Sequence, residues 1–151
     1  GGMQHIGFKL NNKEYTIPIL KVREVIKSPA LTKLPLVPHY VEGVTTLKGR
    51  ILAVVNLKKL VGLEGKSLGD NVMIVGSDHI RFGFFVDSIT GILNIDESQF
   101  CAPSQIKQLG CSIQISNRYV TPLDAKSLIP AEDLDGNGGK LFLDPDDPVN
   151  G

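Results

Sequence analysis

"YVEGVTTLKGRILAVVNLKKLVGL", residues 40 to 63, holds two apolar runs separated by Lys48-Gly49. Val41–Leu47 and Ile51–Leu57 have strand length and strand composition, and the dipeptide between them supplies a tight turn. Glycine there provides the positive φ that a short hairpin loop needs. The stretch predicts a β-hairpin with a positive charge at its turn. It places no nucleophile beside a histidine base, so it carries no catalytic pair of its own.

Upstream, Ile6, Phe8 and Leu10 alternate with other residues, "NNK" supplies a turn, and Tyr15 and Ile17 resume the alternation, which predicts a second hairpin. From Pro18 the period changes. Ile19, Val22, Val25 and Ile26 fall at helical spacing until Ser28-Pro29, which predicts one short amphipathic helix. "LPLVP" then forces extended chain, because each proline fixes its own φ and restricts its predecessor. Downstream, the polar "EGKSLGDN" leads into strands over Val72–Val75, Ile80–Val86 and Ile89–Ile95, the first two joined by a Ser77-Asp78 turn. Ser112–Ile115 and Arg118–Leu123 complete the series around Ser116-Asn117. Roughly eight to ten short strands with little helix indicate an all-β barrel architecture and exclude βαβ units. The strand series before and after the polar stretch are similar in size, so two small barrels are expected, with the change-over near residues 65–71.

The chain has 151 residues, 42% of them hydrophobic, enough to bury one core. Sixteen basic residues balance sixteen acidic ones, so the total charge indicates neither a nucleic-acid nor a membrane-surface partner. The distribution is uneven. From Ala131 onward six acids (Glu132, Asp133, Asp135, Asp144, Asp146, Asp147) face one base, Lys140, leaving −5 there and +5 in residues 1–130. No apolar run approaches the roughly 20 residues that span a bilayer, and no signal-peptide pattern opens the chain, so the expected compartment is the cytoplasm.

His5, His39 and His79 show no ligand spacing and read as exposed. Lys58-Lys59 reads as a solvated face. Cys101 and Cys111 form a lone C-x₉-C pair, too little for structural zinc, and are expected as reduced structural thiols unless the chain is exported. "DLDGNGGKLFLD" puts Asp133, Asp135, Asn137 and Asp144 at calcium-loop positions 1, 3, 5 and 12, with Gly138 at position 6. An Asp stands where the bidentate Glu belongs, Lys140 replaces the apolar anchor, and flanking helices are missing. The expectation is a solvated acidic tail over 131–151 with no metal and no cofactor. Small barrels also host nucleic-acid binding, the alternative function, but aromatics form 6% of the chain, there is no Trp, and most phenylalanines lie in core-like strand runs.

The blocks "FKLNNKEYTIPILKVREVI", "LPLVPHYVEGVTTLKGRILAVVNLKKLVGL" and "IRFGFFVDSITGIL" together resemble the CheW-like chemotaxis coupling proteins. The resemblance covers residues 6 to 129, within an expected domain of residues 1–130. It implies two intertwined five-stranded β-barrels around a shared apolar core, with one or two short helices. It also implies a non-enzymatic signalling adaptor that joins the regulatory domain of a chemotaxis histidine kinase to the cytoplasmic tip of chemoreceptors, without nucleic acid or membrane insertion. Carried over by position, Val22 and Glu24 on the "KVREV" segment, Gly43 before the hairpin, and Leu47 and Lys48 at its turn match positions that serve partner binding. Val22 and Gly43 equally suit core filling and close backbone approach. The same arrangement places Glu24 near Lys48. The chain departs from the family pattern at Thr46-Leu47-Lys48-Gly49, where Asn-Leu-Arg-Gly is usual. It departs again at Ala53-Val54-Val55-Asn56, where a proline, two hydrophobic residues and an aspartate are usual.

Overall fold

Three two-residue turns set the register of the sheets, each with both central residues at positive φ: Asn11-Asn12 (51° and 67°), Lys48-Gly49 (53° and 79°) and Asp78-His79 (49° and 69°). Such turns match the right-handed twist of paired strands. The computed structural model describes residues 2–65, 68–100 and 111–146. The first turn joins β1 (Gly2–Leu10) to β2 (Lys13–Pro18), the second β4 (Val41–Leu47) to β5 (Arg50–Val55), and the third β6 (Asn71–Ser77) to β7 (Ile80–Val86). The remaining strands are β3 (Val22–Lys27), β8 (Ser88–Asp96), β9 (Ile113–Ile115) and β10 (Arg118–Pro122). Among the described residues helix is confined to short pieces: α1 (Leu57–Leu60), α2 (Ala125–Leu128), α3 (Ala131–Leu134) and 3-10 segments that include Ile19–Lys21 and Gly136–Phe142.

The strands form two five-stranded sheets, ordered β8-β1-β2-β10-β9 and β3-β6-β7-β5-β4. Each encloses its own apolar cluster. Ile95, Ile113 and Val120 fill the first; Leu52, Val54, Val72, Ile74 and Phe85, with Ile26 and Leu47, fill the second. A larger shared core lies between them, where Phe8, Leu10, Tyr15 and Ile17 of the first sheet meet Ala53, Val55, Met73, Val75, Phe82, Phe84 and Val86 of the second. Alternation explains both sides at once: Val72 and Ile74 point into the second barrel, while Met73 and Val75 point into the shared core. The all-β, paired-barrel architecture is as expected.

Several expectations need correction. The helix expected from Ile19 is a 3-10 turn followed by β3, which pairs with β6 through a bulge between Val22 and Glu24. The chain changes sheet between Pro18 and Val22 and again between Val86 and Ser88, not near 65–71, because strand length does not tell which sheet a strand joins. His5 is 1% exposed, and its Nδ1 lies 3.0 Å from Thr16 Oγ1. Burial lowers its pKa below the usual histidine value. Cys111 is disulfide-bonded rather than reduced; the expected compartment argues against a disulfide, whereas nothing in the residue spacing does. Cys101 lies outside the described residues.

The acidic C-terminal segment is not solvated through residue 146. Phe142 is fully buried in the shared core, edge-on to Phe82 at 6.3 Å. Tyr40, 2% exposed, donates from its hydroxyl to Asp133 Oδ2 at 2.6 Å. Burial, that hydrogen bond, and the charges of Asp133 and Glu132 raise the phenol pKa far above its ordinary value. Asp133 and Asp144 thus face protein donors, Asp144 meeting Arg23 at 3.1 Å. Residues 147–151 lie outside the described residues.

Candidate partner-binding surface

The hairpin turn brings Lys48 to β3. Its Nζ lies 3.6 Å from Glu24 Oε2, with Lys48 77% and Glu24 38% exposed. β3 and β4 are the outermost strands of their sheet, so this ion pair spans the two edges that close the barrel. Leu47, one residue before the turn, packs on the apolar cluster beneath. Glu24, Leu47 and Lys48 therefore lie together at the sheet edges, an exposed charge pair beside a residue packed on the apolar cluster.

Val22 and Gly43 sit differently. Val22 packs against the shared core and pairs with Val75 across the bulge. Gly43 has φ 154° at a second bulge, and a Cβ there would meet Thr32 O at 2.7 Å and Leu31 Cβ at 3.1 Å. The close approach exists because Thr32 and Val44 exchange two backbone hydrogen bonds, of 2.8 and 2.9 Å, which carry the proline-rich segment onto the hairpin. Glycine is the residue that this crossing admits.

Asn56, at a position where the family usually has aspartate, caps α1: its Oδ1 accepts from Lys58 N at 3.0 Å. Either side chain suits that role, so this departure is conservative. Sequence reading missed the neighbouring Lys58. It is 5% exposed rather than solvated, with Nζ 3.0 Å from Asp87 Oδ1. Asp87 lies between β7 and β8, at the second change of sheet, and its other oxygen accepts from Asn11 N at 2.8 Å. This aspartate pins the β1–β2 turn and α1 to the crossing. The "FVD" motif was the available signal: an acid directly after an apolar strand run in a chain of few buried charges.

Among the described residues the aromatics do not form a stacking surface for nucleic acid. Phe8, Phe82, Phe84, Phe85 and Phe142 are at most 4% exposed, which leaves Tyr119 and Phe100 as the more exposed large aromatics among the described residues. No helix among the described residues is long and apolar enough to cross a membrane.

Comparisons with known proteins bear on the family and the fold. The CheW-like domain family matches residues 4–133. A chemotaxis protein CheW from Thermotoga maritima is 30% identical over 129 residues, covering 82% of this chain and 85% of that protein. One from Helicobacter pylori is 32% identical over 98 residues, covering 64% of this chain and 59% of that protein. The crystal structure of the scaffolding protein TtCheW from Thermoanaerobacter tengcongensis superposes with a TM-score of 0.79 at 23% identity, covering 95% of this chain and all of that one. That likeness establishes the fold, and the family match extends over most of the chain: it belongs to the CheW-like domain family.

Proposed function

We propose that this CheW-like chain is a non-enzymatic cytoplasmic adaptor that couples chemoreceptors to a chemotaxis histidine kinase. Its partners are the kinase regulatory domain and the receptor's cytoplasmic tip. The observation that carries the reading is the Glu24–Lys48 pair beside Leu47, at positions that serve partner binding in the family. A signal passed by contact needs shaped, partly apolar surface on rigid strands and no reacting group. Titration calorimetry against the cognate kinase regulatory domain should show micromolar-range affinity, about −8 kcal/mol, as suits an exchangeable interface. Absence of heat, together with failure to compete with a fluorescent partner at high concentration, would remove the adaptor reading.

A further inference from the structure

Two arginines beside the hairpin are occupied by the chain's own acidic end. Arg23 on β3 meets Asp144 at 3.1 Å, and Arg50, the residue after the turn, pairs with Asp146. The two contacts differ in burial. Asp144 has 2% of its side chain exposed; its N–H donates to His79 O at 2.6 Å, and its second oxygen accepts from Asp146 N at 2.9 Å. Preceding it, Leu143 bridges Ile80 and Phe142 is sealed in the core. This part is an anchor. Asp146 and Arg50 are each about half exposed, at 46% and 47%. An exposed pair of that kind is weak and open to exchange, whereas one with a desolvated member is costly to break.

The segment lies beyond residue 133, where the family match ends. Around the turn it faces an excess of positive charge. Arg81 donates to Ile51 O at 3.3 Å, and Lys48 is only loosely held by Glu24. Ile51, the next residue along β5, is 67% exposed. With Asp146 released, Lys48, Arg50 and Arg81 would leave an excess of positive charge around the turn, complementary to an acidic segment.

We propose that the strip around Arg50 is a docking surface for an acidic segment of a partner protein, held in cis by Asp146, which the partner displaces. The identity of that partner rests on the adaptor reading; the existence of the strip does not. Asp146→Asn keeps size and backbone and removes the charge, so it should bind the kinase regulatory domain or the receptor-tip fragment about two- to fivefold more tightly, the equivalent of one exposed ion pair. Its melting temperature should stay unchanged. Adding Arg50→Ala should abolish the gain, because the freed guanidinium is what the partner uses. Unchanged or weaker binding by Asp146→Asn, or a gain that survives Arg50→Ala, would overturn the proposal. If neither partner binds the wild-type chain, the adaptor reading fails, and an octaglutamate peptide decides the strip alone. Shifts of the Gly49 and Ile51 amides in Asp146→Asn that vanish in the double variant support it; equal or absent shifts in both overturn it.

Discussion

Lys58 holds the second change of sheet in place: its ammonium, almost sealed from water, meets an Asp87 carboxylate that is 32% exposed and also accepts from Asn11. A charge-assisted hydrogen bond of this kind contributes about 1.5–3 kcal/mol, more than an exposed pair. Lys58→Ala should therefore lose about 2–3 kcal/mol in urea unfolding, since it removes both the bond and the packed stem. Lys58→Met keeps the stem and should lose about 1–2 kcal/mol. Equal losses for the two variants would mean that the stem packing is irrelevant, and no loss in either would make the pair a surface contact. The burial of this lysine was not legible beforehand, because "KKL" is equally the exposed face of a short helix. Only the approach of β1–β2 and β7–β8 from distant parts of the chain closes it off. His5 was missed for the same reason, its cover coming from residues across the sheet such as Thr16 and Phe100.

At the scale of elements, the hairpins were readable and β3 was not. Asn11-Asn12 and Lys48-Gly49 announce themselves by residue type, whereas Ile19, Val22, Val25 and Ile26 imitate helical spacing. The imitation has a physical source. A bulge between Val22 and Glu24 shifts the register, so Val22 joins the shared core while Ile26 joins the second barrel, and Val25, 40% exposed, adds an apolar residue on the outer side. The β-branched residues of "VREVI" fit the pleated pairing with β6 that prevails. Glu24 and Lys48 still meet as the resemblance implied, from a strand rather than a helix. Because Lys48 is 77% exposed, Lys48→Ala should cost under about 1 kcal/mol of stability while weakening partner binding. Lys48→Arg should preserve or improve binding through a bidentate fork. A double-mutant cycle with Glu24→Ala, read by calorimetry, tests the coupling; purely additive effects would show that the pair does not shape the surface.

In the whole molecule, the two barrels cannot be separate folding units. The first sheet is built from both ends of the chain and the second from its middle, so the chain passes between them twice. The shared core draws Phe8 and Ile17 from one, Phe82 and Phe84 from the other, and Leu128, Ile129 and Phe142 from the segment that follows the last strand. Strand number and the apolar supply were legible; the order of strands was not, because β10 reaches β2 through a parallel pairing that no turn announces. The insertion of Phe142 was equally hidden, since "KLFLD" is too short to show a period and sits among acids and glycines. Such a core should unfold in one cooperative transition, and Phe142→Ala tests whether the C-terminal segment belongs to it. Truncating a fully buried phenylalanine costs about 3–5 kcal/mol, whereas changes in a solvated tail stay within about 0.5 kcal/mol. The location of the loss is the more telling readout. Phe142 packs on Phe82 of the second sheet, but the core it fills is common to both. Native-state hydrogen exchange should therefore show the slowest amides of β1 and β6 losing protection by the same amount. Loss confined to β6 and β7, with β1 unchanged, would mean that the barrels open independently and that the double crossing does not couple them.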